Sequence, residues 1–313
     1  MNFAFVFPGQ GSQSLGMMDG YTDLQNIRDT FSEASQILDQ DLWSMVNDGP
    51  TDDLNLTVNT QPLMLIAGVA VYRAWSILGG AKPTFLAGHS LGEYTALVAA
   101  ESLAFEDALK LVRFRAKAMQ QAVPEGVGGM AAILGLDDEI IEAVCTEISN
   151  NTENESLEPA NFNSPGQVVI AGHKNAVLKG IDLAKEKGAK RAVMLPMSIP
   201  SHCALMRPAA HKMQEQLEKI TFQTPTIPVL HNVDAEHHND ISAIKDILVK
   251  QLYCPVRWVD TIRSIAAADV THIAECGPGK VLAGLNKRID RNLQSVPLTD
   301  TDTVRQATTE LRQ

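Results

Sequence analysis

Ser90 lies in the segment 88–92 (GHSLG), which has the glycine-x-serine-x-glycine spacing of a nucleophile elbow. In such an elbow a sharp turn between a strand and a helix exposes the serine hydroxyl, and small flanking residues prevent clashes. The flanks fit, because residues 85–87 (FLA) predict a buried strand and residues 91–100 (LGEYTALVAA) are rich in helix formers. We therefore expect an acyl nucleophile, with the N–H of Leu91 at a helix N-terminus where an oxyanion would form. A flexible surface turn is the alternative interpretation of the same segment.

A serine nucleophile needs a general base, and the chain contains 8 histidines. His202 lies where an extended segment leads into a helix predicted over residues 203–218. A helix N-terminus disfavours imidazolium, which would keep this ring neutral and able to accept the serine proton. His231 and His272, next to predicted strands, compete for the same role. The third member of a triad stays open, since a backbone or amide carbonyl could also orient the imidazole. The acids available for that position are Asp234 and Asp260.

Arg115 is a charged residue on the apolar side of a helix predicted over residues 105–122. At about 100° per residue, that apolar side collects Phe105, Ala108, Leu109, Val112, Ala116 and Met119. Burying a guanidinium without a partner is costly, so Arg115 should have one. One interpretation is a structural ion pair with an acid from a neighbouring helix. The other is a pocket cation that holds a free carboxylate through two hydrogen bonds, which would make the acyl group a carboxylated one.

The elements that must position these side chains alternate between strands and helices. Residues 3–7 predict a first strand, and the loop 8–13 (PGQGSQ) follows its carboxyl end, where open α/β sheets bind ligands. Residues 60–78 predict a long, mostly apolar helix that belongs in a core against a sheet. A last long helix is predicted after the turn at residues 276–280, and the polar tail from Thr299 is expected to fray.

One segment has a different rhythm from the rest of the chain. Within residues 126–196 the predicted order is β-α-β-β-α-β, the split pattern of ferredoxin-like modules. We therefore expect an α/β protein with two domains. Residues 1–125 and 197–313 would form the larger, catalytic domain, and residues 126–196 a small subdomain inserted into it.

The composition excludes several classes of function. A chain of 313 residues with 45% hydrophobic and 20% charged residues can bury a sizeable core. A net charge of -11 argues against nucleic acid as a partner, and no apolar run approaches the roughly 18 residues of a membrane span. The N-terminal segment lacks a basic start and a signal-type cleavage site, so we expect a cytoplasmic protein. The scattered cysteines form no C-x-x-C pair and predict neither a disulfide framework nor a metal site.

Several motifs, in their order along the chain, resemble those of the malonyl-CoA:acyl carrier protein transacylases. They are residues 8–13 (PGQGSQ), 88–93 (GHSLGE), Arg115 with Met119, 161–167 (NFNSPGQ), 200–202 (PSH), 251–256 (QLYCPV) and 277–280 (GPGK). The resemblance covers almost the whole chain. Acyltransferase domains of polyketide and fatty acid synthases share most of these motifs, but Arg115 and the freestanding length favour the malonyl-specific form. Cys254 departs from the small polar residue of the more familiar bacterial members.

The resemblance implies a role for each of six residues. Ser90 would be the nucleophile, His202 the general base and acid, Gln10 and Leu91 the backbone donors to the oxyanion, Arg115 the grip on the malonyl carboxylate, and Gln251 the residue that orients His202 through a carbonyl. It also implies a hydrolase-like α/β core with a parallel sheet and an inserted ferredoxin-like subdomain. That fold agrees with the order of elements read from the residues.

The implied activity is transfer of malonyl from coenzyme A to holo acyl carrier protein, by a ping-pong mechanism through a malonyl-serine, for fatty acid elongation. Coenzyme A thioester is then a substrate, the phosphopantetheine belongs to the carrier, and neither a bound cofactor nor a metal is implied. We expect a monomer. Two alternatives remain: a serine esterase or thioesterase on the same elbow, and a non-catalytic acyl-binding protein.

Overall fold

The protein is built around two β-sheets flanked by α-helices, and the computed structural model describes residues 2–197 and 199–312. The strands, in chain order, are β1 (Phe3–Phe7), β2 (Phe85–Gly88), β3 (Gly128–Leu134), β4 (Leu157–Ser164), β5 (Gln167–His173), β6 (Arg191–Met194), β7 (Val229–Leu230), β8 (His272–Cys276) and β9 (Gln294–Leu298). The α-helices are α1 (Gln25–Leu38), α2 (Leu42–Asn47), α3 (Thr51–Asn55), α4 (Thr57–Ile77), α5 (Gly92–Ala99), α6 (Phe105–Ala122), α7 (Asp138–Asn151), α8 (Lys174–Glu186), α9 (Arg207–Leu217), α10 (Ile241–Gln251), α11 (Trp258–Ala267), α12 (Val281–Ile289) and α13 (Thr301–Glu310).

The larger sheet is parallel and has the strand order β7-β2-β1-β8-β9. Its central strand, β1, is buried along its whole length. Because side chains alternate along a strand, its residues enter two different cores. Phe3, Phe5 and Phe7 pack into the core with helices α1, α4, α5 and α6. Ala4 and Val6 face the opposite core, which is built with α11 and α12. Parallel strands end at a common edge, so β1 and β2 deliver the loops that follow them to the same place.

The smaller sheet is antiparallel, with the order β4-β5-β3-β6. Helices α7 and α8 cover one face, and this core is separate from those of the larger sheet. The sequence of elements from β3 to β6 is β-α-β-β-α-β, so the predicted fold class, a parallel α/β core with a ferredoxin-like unit, is confirmed. The domain boundaries at residues 126 and 196 stay a prediction, which the separate core of the smaller sheet supports.

The segment that follows α10 joins the two sheets. The N–H of Phe162 in β4 donates to the carbonyl of Val256 at 2.9 Å, and the N–H of Val256 donates to the carbonyl of Ala160 at 2.9 Å. This short bridge fixes residues 251–256 against β4. Gln251, at the end of α10, is thereby held beside the cleft between the sheets.

Two predicted elements were wrong. The helix predicted from residue 203 begins at Arg207, after a short 3-10 turn at Ala204–Met206, and Pro208 stands in its first turn, where proline is favoured. The helix after Lys280 ends at Ile289 and is followed by the edge strand β9 and by α13.

The tail is therefore ordered rather than frayed. Asp300 accepts a hydrogen bond from the N–H of Thr303, and the Thr303 hydroxyl accepts one from the N–H of Asp300. This capping box begins α13, and the polar residues that suggested fraying belong to the cap and to the helix itself. Within the two described ranges, none of the helices combines the length and the apolar character needed to cross a membrane.

Candidate active site

Ser90 occupies a strained turn between β2 and α5. Its φ is 52°, in the left-handed region that non-glycine residues rarely adopt. A Cβ on Gly88 would lie 1.9 Å from the carbonyl carbon of Gly92, and a Cβ on Gly92 would lie 2.1 Å from the carbonyl oxygen of Phe7. Both glycines are therefore required by close backbone packing. This is the geometry of a nucleophile elbow, not of a loose surface turn.

His202 is the histidine that reaches the nucleophile. Its Nε2 lies 2.8 Å from Ser90 Oγ, and its Nδ1 lies 2.7 Å from the carbonyl oxygen of Gln251. A carbonyl can accept but not donate, so Nδ1 carries the hydrogen and Nε2 is left as the acceptor for the serine proton. The backbone carbonyl of Gln251 thus stands where a triad would place an acid.

The surroundings of His202 keep its ring neutral. Burial, together with the positive charge of Arg115, lowers the pKa of His202 to about 3. From the sequence we expected a helix N-terminus at residue 203 to keep the ring of His202 neutral. That reason was wrong, because α9 begins at Arg207. The direction is the same, but its cause is the desolvated cleft.

This low pKa has a kinetic consequence. Lowering the pKa means that the proton leaves His202 at lower pH, so the ring should still be a competent base well below its ordinary value of 6.5. We expect the rate of Ser90 acylation to stay on a plateau as pH falls through 6.5, whereas an unperturbed histidine would lose about tenfold per pH unit below it. Rapid-quench measurement of acyl-enzyme formation between about pH 5 and 8 tests this expectation. An acid limb with its midpoint near 6.5 would contradict it.

Arg115 lies beside the nucleophile and is 1% exposed. Its Nη1 donates to Gln61 Oε1 at 2.9 Å, and its Nη2 donates to Gln251 Oε1 at 2.9 Å and approaches Ser90 Oγ at 3.3 Å. These contacts are to uncharged groups, and among the described residues the ion pairs do not include Arg115. The structural ion pair considered from the sequence is thus not found there. The guanidinium charge remains available to an anionic group near Ser90.

A cavity of about 170 Å³ is lined by Ser90, His202, Arg115, Gln10 and Leu91 together with residues of β3, β4 and β5. The loop after β1 packs directly on the elbow, since a Cβ on Gly9 would lie 2.4 Å from the carbonyl oxygen of His89 and 3.7 Å from the Leu91 nitrogen. The cleft between the two sheets therefore brings together all the residues predicted to line the site, and Gln251 supports it from behind.

The competing candidates from the sequence lie elsewhere. His231 is buried and hydrogen bonds through Nδ1 to Glu93, and His272 starts β8, where it contacts Thr271. Among the described residues, neither Asp234 nor Asp260 contacts His202. Asp234 pairs with His238, and Asp260 pairs with Arg257.

Sequence reasoning missed four polar residues that support the site. Asn232 Oδ1 accepts from the Ser90 N–H at 2.7 Å, and Gln61 holds Arg115. His89 Nε2 lies 2.8 Å from Asn163 Oδ1 and so links the elbow to β4. Asn232 follows β7 at the carboxyl end of the sheet, a position that could have identified it. Gln61 lies inside the mostly apolar helix α4, and nothing in the sequence there pointed to the site.

The described ranges contain no group of three or more histidine, cysteine, aspartate or glutamate side chains placed to hold an ion. The chemistry available at the cleft is that of a serine nucleophile, a neutral imidazole base and a buried cation. Such a set can form and break an ester of a carboxylated acyl group.

Comparisons with known proteins point the same way. The family described as the acyl transferase domain matches residues 4–298. The malonyl CoA-acyl carrier protein transacylase of Escherichia coli is 53% identical over 299 residues, covering 95% of this chain and 96% of that protein. The crystal structure of the acyl-carrier-protein S-malonyltransferase from Burkholderia pseudomallei is similar with a TM-score of 0.96 and 56% identity, over 99% of this chain and 100% of that one.

A further solved structure shows a malonyl-transacylase in complex with its holo acyl carrier protein of a type II PKS. It is similar to this chain with a TM-score of 0.97 and 48% identity, over 99% of this chain and 100% of that one. The similarity in every case spans nearly the full length of both chains.

Proposed function

We propose that Ser90 carries malonyl from coenzyme A to holo acyl carrier protein, because the chain belongs to the acyl transferase family and, within it, to the malonyl CoA-acyl carrier protein transacylases. The observation that carries the proposal is the position of Arg115 Nη2, 3.3 Å from Ser90 Oγ in a site that also holds the base His202. A malonyl group on Ser90 has a free carboxylate, and this buried cation is its natural partner.

In the first half-reaction Ser90 Oγ attacks the thioester carbonyl while His202 Nε2 takes the hydroxyl proton. Backbone N–H groups of Gln10 and Leu91 would stabilise the oxyanion of the tetrahedral intermediate. Collapse of that intermediate breaks the carbon–sulfur bond, and His202 returns the proton to the leaving thiolate of coenzyme A. Malonyl is then held as an ester on Ser90.

The second half-reaction reverses these steps with a different thiol. The phosphopantetheine thiol of the carrier protein gives its proton to His202 and attacks the ester, and Ser90 leaves with the proton returned. Both substrates present the same pantetheine arm, so one entrance serves both. A cavity of about 590 Å³ shares Gln10, Leu195 and Met197 with the site and supports such an entrance.

The chemistry uses a coenzyme A thioester as a substrate and the carrier's own phosphopantetheine, so the proposal calls for no separately bound cofactor. We further propose that the protein acts in the cytoplasm as a monomer and that its product supplies fatty acid elongation. A hydrolase on the same elbow would use water in place of the carrier thiol. The two functions differ in the fate of the acyl-enzyme.

Intact-mass measurement separates them. Incubation with malonyl-CoA should add one malonyl group, located at Ser90 by peptide mapping, and the Ser90→Ala variant should gain none. Addition of holo acyl carrier protein should discharge the ester and place malonyl on the carrier. Rapid loss of the adduct to free malonate without the carrier would favour a thioesterase, and a bound ligand without any adduct would favour a non-catalytic acyl-binding protein.

A further inference from the structure

Glu93 is a fully buried carboxylate under the elbow, in the first turn of α5. Both of its oxygens accept hydrogen bonds. Oε1 lies 2.7 Å from His231 Nδ1, while Oε2 accepts from the N–H of Asn232 at 3.0 Å and from Gln251 Nε2 at 2.9 Å. A carboxylate with three donors and no exposed surface is held in one place, and it holds those donors in turn.

The contact between Glu93 and Gln251 helps to fix which way the side-chain amide of Gln251 points. Its Nε2 donates to Glu93 Oε2 and to the carbonyl oxygen of Ser90, both at 2.9 Å, while its Oε1 accepts from Arg115 Nη2 at 2.9 Å. A flipped amide would turn its NH₂ towards the guanidinium and its oxygen towards two acceptors. Glu93 Oε2 and the Ser90 carbonyl both accept from the amide and the guanidinium only donates, so the three contacts together hold the amide with its oxygen towards Arg115.

Glu93 also reaches the elbow through Asn232. The Asn232 N–H donates to Glu93, and its side chain accepts from the Ser90 N–H at 2.7 Å and donates to the Gly88 carbonyl at 2.7 Å. The strained backbone at Ser90 is therefore tied down through both its N–H and its carbonyl. Both ties lead to the same carboxylate.

Glu93 also lies close enough to Arg115 to affect its pKa. Burial lowers the pKa of Arg115, whereas the neighbouring Tyr94 and Glu93 oppose that shift. The hydrogen-bond partners of the guanidinium are neutral, and Glu93 stands one amide further away. A guanidinium stays protonated in proteins, and here no carboxylate pairs with it directly, so its positive charge can still attract a substrate anion.

We propose that Glu93 is a positioning residue for malonyl selectivity, because it holds the amide of Gln251 and, through it, the place of Arg115. The inference rests on the proposed malonyl transfer and adds a residue that touches neither substrate nor reacting atoms. His231 belongs to the same unit, since its Nδ1–H donates to Glu93.

The Glu93→Gln variant tests this role with almost no change of shape. Glutamine offers one oxygen where glutamate offers two, and it removes the charge. We expect kcat/KM for malonyl-CoA to fall on the order of tenfold or more, as for loss of a hydrogen bond to a charged group. Transfer of acetyl from acetyl-CoA, which has no carboxylate to hold, should change far less, so the malonyl-to-acetyl preference should fall.

A matched control is Glu275→Gln. Glu275 is also fully buried, but its carboxylate accepts from the N–H groups of Leu282 and Ala283 at the start of α12, away from the cavity. This variant should lose stability, measured as Tm, without changing the malonyl-to-acetyl preference. In a second control, Glu93→Gln placed in an Arg115→Ala background should leave the preference of the Arg115→Ala variant unchanged, because the guanidinium that would hold the carboxylate is already absent.

A folded Glu93→Gln enzyme that keeps the wild-type preference would overturn the proposal, and so would an equal effect with and without Arg115. If Glu93→Gln does not fold, Gln251→Leu carries the test, because it removes the relay but keeps the backbone carbonyl that faces His202. It should also lose the malonyl preference, and an unchanged preference would overturn the inference. A wild-type protein that forms no malonyl adduct on Ser90 would instead overturn the proposed function itself.

Discussion

The His202→Ala variant is expected to acylate Ser90 about 10²- to 10⁴-fold more slowly than the wild type, the usual contribution of a positioned general base. His202 Nε2 is the acceptor 2.8 Å from Ser90 Oγ, and without it the hydroxyl must lose its proton to water. Both half-reactions should slow together, since the same imidazole moves the proton in each. Rapid-quench measurement of malonyl-enzyme formation, followed by its discharge to holo acyl carrier protein, gives the two rates separately.

The control for this prediction is His272→Ala. His272 lies at the start of β8 and contacts Thr271, so its loss should leave both rates close to wild type. Near wild-type acylation by His202→Ala would remove His202 from the role of base.

The Arg115→Ala variant is expected to lose malonyl transfer selectively. Truncating one partner of a buried, hydrogen-bonded charge pair typically costs about 2–5 kcal/mol, so kcat/KM for malonyl-CoA should fall on the order of 10²-fold or more. Acetyl transfer should be unchanged or faster, because acetyl presents no anion and the smaller side chain leaves more room. Parallel assays of both thioesters, with acyl-enzyme mass as the readout, measure the change in preference.

Arg113→Ala is the matched control on the same helix. Arg113 is partly exposed, its Nη2 donates to Gln40 Oε1, and it lies outside the cavity lining. It should therefore leave the malonyl-to-acetyl preference intact. An equal loss for both acyl groups in Arg115→Ala would mean that Arg115 supports the elbow through Gln251 and Ser90 instead of gripping a carboxylate.

Local periodicity and spacing predicted much of the fold and part of the site. The elbow could be read because a strand, a left-handed turn and a helix start are determined by a few adjacent residues, with Gly88 and Gly92 where a Cβ would clash. Arg115 could be recognised because a helix places its residues at fixed angles, so its burial follows from its neighbours. The order of elements in β3 to β6 was equally local. Where the local signal was weak, as at the short edge strand β9, the prediction of one last long helix was wrong.

The choice among the histidines could not be made in this way, because it depends on contacts between distant parts of the chain. Ser90 and His202 are 112 positions apart, and His202 and Gln251 are 49 apart. A search for an acid in the sequence had no means of finding a backbone carbonyl. That carbonyl is brought to His202 by the packing of α10 against α9 and by the bridge between β4 and residue 256.

The sequence by itself determined that this protein places a serine on an elbow and a cation on an apolar helix face, since both follow from local backbone geometry. The tertiary structure decided which base faces the serine, why that base is neutral, and how the cation is held beside the serine. Those properties arise from desolvation and from hydrogen bonds across the cleft. Glu93 illustrates the difference: in the sequence it follows the elbow as one more helical acid, and in the fold it joins Gln251, Asn232 and Ser90.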